Sequence, residues 1–94
     1  MSEQKYTLTI NDQELTFVIT VENFNYFVGG VNQKNKLSMA HNFCMQTVVE
    51  NDKDALKALL KLPSVSIQIA EALIEAYVPQ VNIMVKPVPT TASN

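Results

Sequence analysis

The sequence of 94 residues contains no arginine, a single cysteine and no long apolar run. Arginine supplies most of the bidentate contacts that proteins make to phosphates and guanines, so its absence argues against nucleic-acid binding. The seven lysines are outnumbered by nine carboxylates, which gives a formal net charge of −2 and no strong basic field. Because one thiol cannot form an intrachain disulfide, the fold is not built for an oxidising compartment.

Apolar runs in this chain never exceed three residues, whereas a membrane-spanning helix needs about 20. The N-terminal stretch MSEQKYTLTI has neither an apolar signal core nor a cleavage pattern. We therefore expect a cytoplasmic protein with no membrane partner. Length and composition predict one compact domain over residues 1–86. The remaining tail, 87–94, has two prolines and no core-forming pattern, so we expect it to be disordered or to serve as an attachment segment.

The stretch 64–78, SVSIQIAEALIEAYV, is the strongest helical pattern in the sequence. Its polar residues Gln68, Glu71 and Glu75 recur at spacings of three and four and form one narrow stripe. The other positions are apolar or small, which is more than the roughly 100° face that one small core covers. We interpret the surplus as a surface for another chain, so the pattern favours a protein-binding module over an enzyme. The predicted partner-binding residues are Ile67, Ile69, Ala70, Leu73, Ile74 and Tyr77. The alternative is that these side chains are ordinary core.

Two segments near the N-terminus, 5–10 and 15–20, alternate apolar and polar residues with the period of a β-strand. Between them lies Asn-Asp-Gln-Glu, a turn composition. These features predict an antiparallel β-hairpin whose apolar face must be covered by helices, because an isolated hairpin is marginal in water. The segment 80–86 alternates in the same way and is a candidate third strand.

Helical patterns occupy most of the chain between the hairpin and Pro79. The predicted helices lie within 22–32, ending near Gly29 and Gly30; over 38–50, with Ser38 as N-cap; over 52–62, capped by Asn51 or Asp52; and over 64–78. Pro63 separates the last two. The fold class is therefore α+β, with an N-terminal antiparallel hairpin packed against three or four short α-helices.

The residue types that carry chemistry do not form a complete site. His41 and Cys44 are three apart and can share a helix face, but zinc needs three or four ligands and the chain has no second histidine or cysteine. The same shortage leaves no group to orient a Cys–His catalytic pair. The acidic pairs Asp52/Asp54 and Glu71/Glu75 are predicted to face solvent, whereas a working general acid or base needs a partly buried setting that perturbs its pKa. We therefore predict no catalytic residue, no metal site and no cofactor.

Three stretches of the chain carry a family pattern: KYTLTINDQELTF at 5–17, MAHNFCMQTV at 39–48, and ALKALLKLPSVSIQIAEALIEAYVP at 55–79. A hairpin, a helical middle and an Ala/Leu-rich helix ending in Tyr-x-Pro resemble the small phage tail assembly chaperones. Asp12 stands where the turn of that family would have glycine. The resemblance spans nearly the whole chain except the tail.

This resemblance implies a protein of phage or prophage origin that acts in the cytoplasm of the host bacterium. Such chaperones coat the long helical tape measure protein, keep it soluble during tail assembly and help to recruit tail tube subunits. The implied partners are therefore the tape measure protein, the tail tube protein and further copies of the chain, with no cofactor and no catalysis. The alternatives are a minor structural component of the tail and a small oligomeric interaction module without chaperone activity.

Overall fold

The computed structural model describes residues 3–79 and 81–89. A hairpin of two strands precedes four α-helices within these residues, which confirms the predicted α+β class. In chain order the elements are β1 (Gln4–Ile10), β2 (Gln13–Ile19), α1 (Val21–Gly30), α2 (Lys36–Thr47), α3 (Lys53–Leu59) and α4 (Val65–Tyr77). A single 3-10 turn, Glu50–Asp52, leads into α3.

The hairpin turns through two residues, Asn11 and Asp12, which separate the last pair of the ladder. Both have positive φ, 49° and 68°, as a type I′ turn requires. This turn fixes the strand register, and the strand period then places Leu15, Phe17 and Ile19 of β2 on one fully buried face.

Replacing Asp12 with glycine is expected to stabilise the fold by roughly 0.5 kcal/mol. A side chain in the left-handed region costs about 1–2 kcal/mol, and the greater backbone freedom of glycine in the unfolded chain offsets part of that gain. Urea unfolding followed by circular dichroism measures the change. Asp12→Ala is the control, because it removes the carboxylate but keeps the Cβ, and it should not be stabilising. A lower unfolding midpoint for Asp12→Gly than for the wild type would contradict the turn assignment.

The helix boundaries follow the predicted ones within a few residues, with one clear correction at α2. Helix α2 begins at Lys36 after the N-cap residue Asn35, so the prediction of Ser38 as N-cap was wrong. The Asn35 side chain organises the preceding loop: its Oδ1 accepts from the Asn32 N–H at 2.7 Å, and its Nδ2 donates to the Gly30 carbonyl at 2.9 Å. The Ser38 hydroxyl instead donates to the Asn35 carbonyl at 3.1 Å, inside the first turn.

Helix α4 packs against the hairpin and two other helices. On the α2 side, the Cys44 thiol donates to the Ser66 carbonyl at 3.5 Å. On the hairpin side, the Tyr6 hydroxyl donates to the Ala76 carbonyl at 3.2 Å. The core that these contacts enclose consists of Leu15, Phe17, Ile19, Phe27, Ala40, Phe43, Cys44, Val48, Leu56, Leu59, Ile69, Ala70 and Leu73.

The candidate third strand over 80–86 is not found: residues 81–89 contain no strand, and Gln80 lies outside the described residues. The sheet is extended on the other side instead, by a single bridge between Phe17 and Val48. Residues 87–89 are exposed and contain neither helix nor strand. The remainder of the predicted tail, 90–94, lies outside the described residues, so its disorder stays a prediction.

Candidate functional site

The six predicted partner-binding residues of α4 fall into two groups. Ile69, Ala70 and Leu73 are buried in the core of the chain itself, with exposures of 4%, 0% and 0%. Ile67, Ile74 and Tyr77 are half-buried and pack at the margin of that core. Because a buried side chain is not accessible to a partner, only the second group lies where another chain can touch it in this fold. The binding role of these residues stays a prediction.

The exposed part of α4 is less apolar than the composition of the helix suggested. Its buried residues are Ser66, Ile69, Ala70 and Leu73, and the residues left fully exposed are polar or small. They are Gln68, Glu71, Ala72, Glu75 and Ala76. The apolar surplus that α4 offers to a partner is therefore confined to narrow flanks.

One such flank, which we call the α4 flank, comprises Ile67, Glu71, Ile74 and Val78. Their spacing of three to four residues places them on one side of the helix axis. Val78 is 46% exposed, and Ile67 and Ile74 are half-buried. Glu71 pairs with Lys36 of α2 at 3.4 Å. Since both of these charged side chains are largely exposed, the ion pair contributes little stability and can rearrange. The α4 flank is therefore mainly an apolar strip with one adjustable polar contact.

Tyr77 lies at the other side of α4, where the helix ends beside the start of β1. Its ring packs against Phe24 of α1, with centroids 5.0 Å apart and planes inclined by 35°. It also lines a groove of about 450 Å³, which we call the strand-start groove. The lining residues of this groove are Gln4, Tyr6, Val21, Tyr77 and Pro79.

A second groove, of about 370 Å³, lies further along the same seam between β1 and α4. We call it the turn-end groove, because its lining includes Asn11 of the hairpin turn. The lining residues are Leu8, Thr9, Ile10, Asn11, Val65, Gln68, Ile69 and Ala72. The contact between Tyr6 and Ala76 lies along the same seam. The two grooves thus follow β1 for most of its length.

The most exposed apolar side chains belong to the segment 81–89, which we call the C-terminal arm. Their exposed fractions are 65% for Val81, 76% for Ile83, 84% for Met84, 87% for Val85 and 80% for Val88. The sequence pattern indicated a strand beside the hairpin here, whereas residues 81–89 contain no strand. The arm was therefore absent from the predicted partner-binding residues.

The side chains considered for catalysis or metal binding are not brought together. Cys44 is buried, and burial raises the pKa of its thiol to about 12, so the reactive thiolate is scarce at neutral pH. His41, on the same helix, is exposed to solvent. Within residues 3–79 and 81–89, no group of three or more His, Cys, Asp and Glu side chains is placed to hold a metal ion. No helix in this part of the chain is long and apolar enough to cross a membrane.

Asp52 differs from its predicted solvent-facing position. It is half-buried, and its Oδ2 accepts a hydrogen bond of 2.8 Å from the backbone N–H of Thr16 in β2. Asp54, predicted in the same way, is exposed. The Asp52 carboxylate therefore has a structural contact across 36 residues of sequence rather than a free position for chemistry.

Comparison with known proteins places the chain in a family. The family model described as phage tail assembly chaperone matches residues 6–87, from β1 into the C-terminal arm. An uncharacterized 11.3 kDa protein in the lys 3′ region of Haemophilus phage HP1 (strain HP1c1) is 24% identical over 80 residues, which cover 85% of this chain and 78% of the phage protein. No solved structure gives a significant match. Since the matched residues make up most of the chain, the chain belongs to the phage tail assembly chaperone family.

Proposed function

We propose that this protein binds the tape measure protein of a long-tailed phage or prophage and keeps it soluble in the host cytoplasm while the tail is assembled. The observation that carries the proposal is the family match over residues 6–87. A tape measure protein is a long helix with apolar stripes, so a protein that protects it must present apolar surface of its own. Recruitment of tail tube subunits and self-association of the chain belong to the same proposal.

The α4 flank is the surface that we assign to the tape measure protein. An apolar strip on one side of a helix suits the apolar stripe of a second helix, the geometry in which amphipathic helices are commonly recognised. The Lys36–Glu71 pair is exposed at 3.4 Å and can shift to accommodate different neighbours. A surface of this kind discriminates weakly between sequences, as the many different segments of a long partner require.

Co-expression with the tape measure protein tests the proposal. The tape measure protein is expressed alone, with the wild-type chain, and with the double variant Ile67→Ser/Ile74→Ser, and its soluble fraction is measured after centrifugation. We expect most of it to be insoluble alone and soluble with the wild type. The double variant should give an intermediate soluble fraction, because it removes two apolar contacts from the α4 flank.

The matched control is Glu75→Ser/Ala76→Ser, which changes two exposed residues of α4 that line neither of the two grooves. It should protect the tape measure protein as well as the wild type does. Circular dichroism of each variant establishes that the fold is retained. A tape measure protein that is equally soluble without the chain would refute the chaperone role. Equal protection by both double variants would refute only the assignment of the α4 flank.

A further inference from the structure

The hairpin has one closed edge and one open edge. A two-residue turn makes Ile10 and Gln13 a hydrogen-bonded pair, so alternate residues of β1 direct their backbone groups towards β2. The residues between them, Lys5, Thr7 and Thr9, direct their N–H and C=O groups away from β2. None of these outward groups has a hydrogen-bond partner among residues 3–79 and 81–89.

The outer edge of β2, unlike that of β1, is bonded to other parts of the chain. The Thr16 carbonyl accepts from the Val49 N–H at 3.0 Å, and the Thr16 N–H donates to the Asp52 carboxylate at 2.8 Å. An uncovered edge strand is a template for pairing with a further strand. The unpaired backbone of β1 is therefore the position at which this sheet can grow.

The C-terminal arm has the sequence of a strand but no strand partner among residues 3–79 and 81–89. Val81, Ile83 and Val85 alternate with Asn82, Met84 and Lys86, a pattern that gives one apolar face in an extended chain. Nine residues in strand geometry span about 30 Å. The longest dimension of the molecule is 65 Å, against 30 and 23 Å for the other two, which is in keeping with an extended arm. An apolar face left exposed over such a length marks an interaction surface.

The surroundings of the open edge suit an apolar strand. The strand-start and turn-end grooves are both lined by β1 and α4, and neither is lined by β2. A strand added along β1 would direct every second side chain into this seam. The seam offers apolar walls from Leu8, Ile10 and Val65 at one end and from Tyr6 and Val21 at the other. The arm provides valine and isoleucine side chains, which fit such walls.

We propose that the C-terminal arm of one copy pairs with the β1 edge of a second copy as a third strand, with Val81, Ile83 and Val85 directed into the two grooves. The part of the chain that the structure describes carries both halves of this contact, an edge and a strand-like segment that are each unpaired there. Addition of a strand to an open edge is an established mode of association, in which backbone bonds give affinity and alternate side chains give specificity. The inference rests on the self-association included in the proposed function.

The direction of α4 favours a second copy over pairing within one chain. Val65 and Ile69 lie beside the turn end of β1, whereas the Ala76 carbonyl bonds to Tyr6 near its start. Helix α4 therefore runs towards the beginning of β1, and pairing of the arm with its own β1 would require the chain to reverse its direction after Pro79. Reciprocal exchange of arms gives a closed dimer, whereas successive donation gives a ring or an open row of subunits.

The role of the arm in this contact is tested by Ile83→Asp against the matched control Met84→Asp. Both side chains are more than three-quarters exposed, so neither substitution disturbs the core. Only Ile83 lies on the face directed into the grooves. Analytical ultracentrifugation over a dilution series should show association of the wild-type chain and of Met84→Asp. For Ile83→Asp the dissociation constant should be about tenfold higher or more, because a charge replaces a buried apolar contact.

The role of the β1 edge is tested by Thr7→Pro, which removes an outward N–H and leaves the hydrogen bonds between β1 and β2 intact. Thr7→Val is its control, because it also loses the hydroxyl contact to Thr16 of 3.1 Å but keeps the N–H. Thr7→Pro and Ile83→Asp should each associate weakly alone. Mixed together, they should form a one-to-one complex, since one retains an intact arm and the other an intact edge.

A fluorescent peptide of residues 79–89 keeps the test decisive if Thr7→Pro fails to fold. Its fluorescence anisotropy should rise on titration with Ile83→Asp, whose own arm competes poorly. A wild-type chain that is monomeric throughout the dilution series would overturn the inference, as would association of Ile83→Asp as tight as that of the wild type. Binding of the peptide to the tape measure protein but not to this chain would also overturn it. Since the association measurements contain no tape measure protein, failure of the chaperone role leaves their outcome unaffected.

Discussion

Leu73→Asp is expected to remove most of the stability of the fold. Leu73 is fully buried at the centre of α4. Truncation of a buried leucine costs about 2–5 kcal/mol, and an aspartate there also places a carboxylate where it has no solvent, a further cost of several kcal/mol. The total is comparable with the roughly 5–15 kcal/mol that stabilises a domain of this kind. Circular dichroism and urea unfolding should show a largely unfolded chain.

The control is the same substitution one residue further along, Ile74→Asp. Ile74 is half-buried on the α4 flank, so an aspartate there can reach water. We expect this variant to remain folded, with a loss of about 1–2 kcal/mol. Equal stability of the two variants would show that α4 does not present Leu73 to the core as described. Loss of tape measure protection by folded Ile74→Asp would in addition support the α4 flank as the binding surface.

The elements that could be predicted from the sequence are those in which apolar and polar residues alternate with the period of a strand or a helix. The alternation of Leu15, Phe17 and Ile19 identified both a strand and its buried face, and all three are fully buried. The spacing of Gln68, Glu71 and Glu75 likewise identified the exposed side of α4. In both cases the pattern is local, because the period of side chains along one element does not depend on what packs against it.

The features that could not be predicted depend on neighbours distant in sequence. Leu73 and Ile74 are both apolar residues of α4, but Leu73 is fully buried and Ile74 lies at the margin of the core. Composition could not distinguish the two positions. The alternation in 80–86 indicated a strand, but whether its partner lies in the same chain depends on the direction in which α4 ends. Ser38 is a good capping residue by type, yet the loop bonds of Asn35 placed the start of α2 one turn earlier.

Asp52 shows most clearly how a long-range contact overrides a local preference. By residue type and position it is an N-cap for α3, and it occupies that position, but its side chain makes no capping bond. Its carboxylate instead covers the edge of β2 at Thr16, on the opposite edge of the hairpin from the open backbone of β1. The contact both attaches the start of α3 to the sheet and limits strand addition to one edge.

Asp52→Ala is therefore expected to destabilise the fold by about 1–3 kcal/mol, because the part-buried N–H of Thr16 loses its acceptor. Asp52→Asn keeps an oxygen at the same position and should lose roughly half as much, as a neutral acceptor is weaker than a charged one. Asp54→Ala is the matched control: it removes the same charge from an exposed site in the first turn of α3, and should cost less than about 1 kcal/mol through the helix dipole. Urea unfolding of the three variants measures their free energies of unfolding and so the order of the three losses. Equal losses for Asp52→Ala and Asp54→Ala would mean that only the negative charge near α3 matters, and that the Thr16 contact does not hold the edge of β2.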